Sequence, residues 1–271
     1  MKRLWLLNLG AELELEGREH SHAARRRSKD AAKTLAETLV PGSDDWFVDP
    51  AGVTMKDGRR EGRAFLPTPN ALRILRAAGA DIEAPGVSVL RQANSRSFSV
   101  AHFPRPDVYL LREESELRSS GQQLLKRDLS FAGGGQRRIS QDVDDSDRAW
   151  VRASLIRGPV CVEPWRHIEE EVGVPGFVHR DGRIDVGSPV EQVVVRGQWR
   201  ESRVGNSDPP GLRDTCREAG QHLAELGYFG PFNIDAHRSK EHGWTHVSEI
   251  NARYTMGWAL GWLSRRRPDL S

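Results

Sequence analysis

Toward the C-terminal part of the chain, Ser248-Glu249-Ile250-Asn251-Ala252-Arg253 sets a charged or amide side chain at every second position. In a strand, successive side chains point to opposite faces, so Glu249, Asn251 and Arg253 share one face. Upstream, Phe232, Ile234 and Ala236 alternate with Asn233, Asp235 and His237, and a turn at Gly243 separates the two segments. The pattern predicts two adjacent antiparallel strands that bring Asp235 to the Glu249 series. Two carboxylates and an amide oxygen make a hard-oxygen set suited to Mg²⁺, which keeps several waters and takes nucleotide phosphates as further ligands. Arg253 adds a planar fork of donors for a phosphoryl or carboxylate oxygen. A solvated hairpin face is the plain alternative. The apolar, glycine-bearing sequence after Arg253 is more than such an edge needs.

Two further features come earlier in the chain. Lys126 is followed by Phe131-Ala132-Gly133-Gly134-Gly135-Gln136-Arg137-Arg138. A glycine run lets backbone N–H groups approach phosphate oxygens, and the basic side chains add charge. Its spacing fits neither a Walker loop nor a dinucleotide fingerprint, and a flexible turn would have the same composition. Val162-Glu163-Pro164-Trp165 reads as a strand running into an extended hinge. Such a hinge can offer backbone groups to an adenine edge, and one of Glu169, Glu170 and Glu171 could accept from ribose hydroxyls. Taken alone, the three glutamates better suit a surface helix. His237, His242 and His246 lack a ligand pattern with cysteine or carboxylate, so no zinc site is expected.

In this order the three features resemble the ATP-grasp superfamily. Its members carry a lysine before a mobile glycine-rich loop, then an acidic hinge, then a strand pair with an Asp and a Glu-x-Asn-x-Arg series. The resemblance runs over about residues 90 to 260, and Gly227 to Asp235 also looks like the family's lead into its metal-binding strand. It implies that Lys126 holds the ATP phosphates under a lid of Gly133, Gly134 and Gly135. The backbone near Glu163 and Trp165 would contact adenine. Glu170, seven residues past Glu163, would meet the ribose, with Glu169 or Glu171 as substitutes. Asp235, Glu249 and Asn251 would hold one or two Mg²⁺ ions, and Arg253 would face the transferred phosphoryl group. The family's earlier lysine is matched here by Arg96, whose guanidinium binds phosphate with a different geometry.

The activity implied is that of an ADP-forming carboxylate–amine ligase. A substrate carboxylate would be activated as an acylphosphate and attacked by an amine, both small molecules. An ATP-dependent phosphotransferase on the same fold, or a nucleotide-binding module without turnover, is the alternative. The short stretch from Arg96 to Lys126 implies a reduced central subdomain.

The elements that must position these residues follow from periodicity. Leu4 to Leu9 reads as a buried strand, Ser28 to Val40 as a helix stopped by Pro41-Gly42, and Val87 to Leu90 as another short strand. Asn70 is the expected cap of a helix through Leu72, Ile74, Leu75 and Ala78, ended by Gly79. Leu212, Cys216, Ala219, Leu223 and Leu226 mark a helix ended by Gly227. The fold expected is α/β (α+β): an N-terminal α/β lobe over 1–90, then an ATP-grasp catalytic unit over 91–271, its central part to about 160 and its C-terminal part from about 161.

The whole chain agrees with this class. It has 271 residues, 40 basic and 38 acidic, a balance that gives no reason to expect nucleic acid. Arg25 to Arg27 and Arg265 to Arg267 read as solvated surface. Cys161 and Cys216, the two cysteines, sit in apolar contexts, so a reducing cytoplasm fits and a disulfide framework does not. The apolar start is cut short by Glu12, Glu14 and Glu16, which argues against a signal peptide. No apolar run reaches the roughly 20 residues of a membrane span. A homodimer is compatible with all of this.

Overall fold

The computed structural model describes residues 3–18, 46–48, 60–119, 121–130, 134–140, 142–195, 198–205 and 207–264. The helix expected over Ser28 to Val40, both arginine clusters and Gly133 lie outside them. Three sheets organise the described residues.

The first is parallel, in the order β2 (Trp46–Phe47), β1 (Arg3–Leu6), β3 (Arg60–Ala64), β4 (Ala80–Asp81). After β1 comes one turn of helix, α1 (Glu12–Leu15), and after β3 comes α2 (Pro69–Ala77). The cap of α2 is Thr68 rather than Asn70: its hydroxyl accepts from the Ala71 N–H, and Pro69 takes the first helical position, where a missing N–H does no harm. Gly79, at φ 80°, ends the helix in the left-handed conformation. Ala71, Ile74, Leu75 and Ala78 pack against Leu4, Leu6, Ala64 and Ala80 as a small core of their own.

Val87 to Leu90 is helical, as the first turn of α3 (Val87–Ala93), not a strand. Leu90 and Ala93, three apart, are the buried residues, whereas Val87 is exposed. A strand would have buried alternate positions instead. Ser95 then caps α4 (Arg96–His102) by accepting from the Phe98 N–H.

The second sheet is antiparallel, in the order β5 (Tyr109–Leu111), β8 (Val160–Pro164), β6 (Gln123–Arg127), β7 (Gln136–Ile139). Leu125, Val160 and Val162 turn to one face and pack with Val151 of α5 (Asp145–Leu155). Lys126, Cys161 and Glu163 therefore turn to the other.

The third sheet has the order β12 (Gln198–Arg203), β11 (Val190–Val195), β9 (Ile168–Val178), β13 (Gly230–Ser239), β14 (Gly243–Asn251), with β10 (Ile184–Val186) folded back on β9. Helix α6 (Leu212–Glu225) lays Leu212, Cys216, Ala219 and Leu223 on its apolar face, against Val172, Val174, Phe232 and Ile234. The same core takes in Trp5, Leu9, Ala11 and Phe65, so the first sheet is docked on the third through shared apolar burial. A final helix, α7 (Trp258–Ser264), carries Trp258 into this core. No helix among the described residues is long and apolar enough to cross a membrane.

One close approach lies within the third sheet, where the Phe232 ring covers its cross-strand partner Gly176. A Cβ at Gly176 would lie 2.2 Å from the Phe232 ring, which is fully buried. We expect Gly176→Ala to destabilise the protein by about 1–3 kcal/mol, the usual penalty for overpacking a filled core. Urea denaturation read by tryptophan fluorescence would measure it, and an unchanged midpoint would show that Phe232 has room to move.

Candidate functional site

The polar face of the third sheet carries the candidate residues. Asp235 on β13 is paired with Glu249 on β14 and with Gly173 on β9, while Asn233 is paired with Asn251. The two antiparallel strands expected from the alternation are present, and their register sets the two carboxylates side by side. Asp235 accepts from Gln192 Nε2 at 2.9 Å and Asn233 Nδ2 at 2.8 Å on one oxygen, and from Asn251 Nδ2 at 2.7 Å on the other. Arg253 donates to Asn251 Oδ1 at 2.8 Å, stands over the Phe65 ring, and forms an ion pair with the buried Glu12 of α1. Arg96 binds Glu249 at 3.1 Å.

The second sheet faces this floor. Lys126 forms an ion pair with the buried Glu163, and Arg105 lies 3.3 Å from the same carboxylate. Burial would push the Glu163 carboxyl up, but Lys126 and Arg105 outweigh it and hold the group below its ordinary range. On the floor no such rescue is complete. Burial, and then the neighbouring Glu249, push Asp235 up to about 6 despite the Gln192 and Asn251 amides. Glu171 goes up to about 7, through burial and then Asp235. His237 is pushed down to about 4, chiefly by burial, so its imidazole is neutral. Carboxylates held together against their own repulsion fit a divalent cation. Among the described residues no three His, Cys or acidic side chains could hold an ion by themselves, so a magnesium would draw on Asn251 and on ligand oxygens.

No family model matches the chain, and no curated protein matches it in sequence. Solved structures do. D-alanyl-alanine synthetase A from Vibrio cholerae superposes with a TM-score of 0.58 at 12% identity, covering 97% of this chain and 93% of that one. N5-carboxyaminoimidazole synthetase from Staphylococcus aureus, complexed with ADP, gives 0.56 at 9% identity, covering 97% and 76%. The corresponding synthase from Aspergillus clavatus, in complex with ADP and 5-aminoimidazole ribonucleotide, gives 0.56 at 15%, with the same coverage. These neighbours share one architecture. The chain has the ATP-grasp fold.

Within the ATP-grasp frame the residues singled out from sequence fall into three groups. Asp235, Glu249, Asn251 and Arg253 come together on one face, joined by direct hydrogen bonds except at Glu249, which Arg96 holds. Lys126 and Glu163 stand across from them as a pair.

Gly134 and Gly135 belong to the turn of the β6–β7 hairpin. Gly135 has φ 67°, and its carbonyl accepts from the Arg127 N–H. The basic residues beyond it are engaged elsewhere: Arg137 with Asp147, and Arg138 stacked 3.9 Å over the Trp165 ring. Trp165 is half exposed, and its own N–H donates to Gln122 O, which leaves that donor unavailable to a base.

Two assignments shift. Glu169, Glu170 and Glu171 lie on strand β9 rather than on a surface helix. Because Gly173 is opposite Asp235, Glu171 shares the polar face and stands opposite His237. Glu170 turns away to Arg238 and Ser207. The acidic side chain at the cleft is thus Glu171. Arg96 is 5% exposed, with donors committed to Arg127 O at 2.6 Å, Ser130 Oγ at 2.8 Å and Glu249. It braces the hairpin against the acidic floor.

Two participants carried weak signals in the sequence. Gln192 on β11 reaches Asp235 across β9, and it passes over Gly173, where a Cβ would lie 2.5 Å from the amide nitrogen. The signal was a glycine inside the apolar run Val172-Gly173-Val174. Glu12 reads in sequence only as the end of an apolar stretch, yet it is 3% exposed against Arg253.

The raised carboxyls have a consequence for stability. A group whose folded pKa lies above its unfolded value stabilises the fold below the unfolded value, and that contribution is lost as pH rises through the folded one. For Asp235 and Glu171 the loss falls between about pH 4 and the shifted values of about 6 and about 7. We expect Asp235→Asn and Glu171→Gln each to raise stability by roughly 1–2 kcal/mol near pH 8 and by much less near pH 4. Denaturant titrations at the two pH values would show it. A gain independent of pH would mean that charge repulsion is not what strains the site.

Proposed function

We propose that the protein is an ATP- and magnesium-dependent, ADP-forming ligase that joins a small-molecule carboxylate to an amine. One observation carries this reading above the rest: a lysine–glutamate pair on one sheet faces an Asp, Glu and Asn set on the other, in a chain with the ATP-grasp fold. The ligase names and bound nucleotides of the structural neighbours support it at the level of reaction class.

In this reading Asp235, Glu249 and Asn251 would hold the magnesium, which neutralises charge on the nucleotide phosphates. Lys126 would leave Glu163 for the phosphates, an exchange of one anion for another at the same ammonium. Arg253, set in place by Glu12 and Phe65, would face the transferring phosphoryl group, where a planar fork matches its equatorial oxygens. The substrate carboxylate attacks the γ-phosphorus, the bond to the bridging oxygen breaks, and ADP leaves as an acylphosphate forms. The amine then adds to the acyl carbon and expels phosphate, losing a proton as the amide forms. No side-chain nucleophile is required. The glycine turn beside Lys126 would close over the acylphosphate to exclude water. A soluble cytoplasmic setting follows from the same reading.

The test is ADP release across crossed panels of carboxylic acids and amines, with mass analysis of products. Against a productive pair, Glu249→Gln should lower turnover by about 100-fold or more while the unfolding transition stays cooperative. Lys126→Ala should mainly raise the ATP concentration needed for half-maximal rate. ADP release at near-normal rate by Glu249→Gln would refute the magnesium role, and a phosphorylated acid as sole stable product would replace the ligase by a phosphotransferase.

A further inference from the structure

The nucleotide reading gives no task to the Nε2 of His237, a buried polar group of the cleft. His237 follows Asp235 by two residues on β13, and its Nε2 is shut off from solvent with no hydrogen-bond partner among the described residues. An imidazole nitrogen sealed in that way is costly unless something meets it in the working state. Its surroundings say where that partner would sit. On the floor, His237 stands opposite Glu171; from the facing sheet and its flanks it feels Glu163, Lys126, Arg105 and Arg166. It therefore lies where the two sheets face each other.

The direction of β13 refines the position. Asp235, beside Glu249, marks the phosphate end. Two residues on, about 7 Å along a strand, comes His237. Beyond it Ser239 pairs with Ile168, and the Lys240 N–H donates to His167 O at 3.2 Å, where β9 begins just after the Glu163-Pro164-Trp165 hinge. His237 thus lies between the phosphate end and the hinge. Lys126 and Arg253 already supply cations for the phosphates. A single orphaned imidazole nitrogen, Nε2, instead suits a sugar hydroxyl or a ring nitrogen.

We propose that His237 is a nucleoside-reading residue, whose Nε2 hydrogen-bonds the sugar or base of a nucleotide admitted between the two sheets. This rests on the nucleotide reading above. His237 and Glu171 form a cross-strand pair, so the two side chains would read the nucleoside together.

The experiment is calorimetric titration of the full chain with AMP-PNP and magnesium, compared with GMP-PNP, 2′-deoxy-ATP and inorganic triphosphate. His237→Ala should bind AMP-PNP about tenfold more weakly, the loss expected of one buried hydrogen bond, and triphosphate unchanged. The preference of the wild type for AMP-PNP over one analogue should shrink to near unity in the variant: over GMP-PNP if the base is read, over 2′-deoxy-ATP if the sugar is. His237→Gln, which keeps a donor and an acceptor, should retain part of the affinity, and it carries the comparison if the alanine variant unfolds. Wild-type affinity for AMP-PNP in both variants would overturn the assignment alone. A wild type that binds no AMP-PNP would overturn the nucleotide reading, and this one with it.

Discussion

The strained element of this structure is a cluster of like charges. Glu171, Asp235 and Glu249 are held on one sheet face, partly withdrawn from water, where Glu249 raises the energy of Asp235's charged form and Asp235 that of Glu171's. Much of the surrounding architecture answers that repulsion. Three amides converge on Asp235, one of them reaching from two strands away because residue 173 has no side chain. Arg96 ties Glu249 to the hairpin of the second sheet, and Arg253 ties Asn251 to a carboxylate of the first. A core designed for stability alone would use apolar residues here, since buried ionic groups rarely outperform them. Under the proposed function, their presence would mark a place where stability is given up for binding.

The same bonds explain how the N-terminal sheet is held. Glu12 meets Arg253, the Tyr254 N–H donates to Phe65 O, and Trp5 lies against Tyr254. Glu14, two residues further on, accepts from the Thr68 hydroxyl and the Asn70 N–H, so it finishes the cap of α2. A four-residue helix is too short to be stable by itself. What fixes α1 is that its acidic side chains face in opposite directions, one to the site and one to the helix beside it.

The alternating segments around Asp235 and Glu249 were legible in the sequence because strand period and chemistry coincide there: the apolar face builds the core and the polar face builds the site. Pairing and direction of the two strands followed. Where several residues of one kind are adjacent, spacing alone failed to decide. Glu170 and Glu171 differ only in parity, and parity is fixed by Gly173 standing opposite Asp235, a fact of register. Val87 to Leu90 has strand-like composition, but its burial follows the three-residue spacing of a helix, with Leu90 and Ala93 buried. Glu12 and Gln192 were illegible for another reason. Their roles depend on contacts across 241 and 43 positions of sequence, and no local pattern encodes those.

Each cation around the site holds a carboxylate: Lys126 with Glu163, Arg96 with Glu249, Arg253 with Glu12. The first pair lies within the second sheet, Arg96 (also bonded to Arg127 O) ties that sheet to β14, and Arg253 ties α1 to the segment after β14, so these cations are each paired in a low-dielectric cleft. An incoming polyanion would not have to charge or discharge anything. It would replace one anionic partner by another at Lys126, and the carboxylate released there still has Arg105 beside it. At Glu249 the exchange runs the other way, since a divalent cation would replace a guanidinium. The two substitutions are complementary in sign, because a polyanion would bring negative charge to Lys126 and a metal would bring positive charge to Glu249. A nucleotide arriving with its metal would satisfy both ends at once. Either alone would leave an uncompensated charge between the sheets, and that asymmetry would favour the two arriving as one complex under the proposed function.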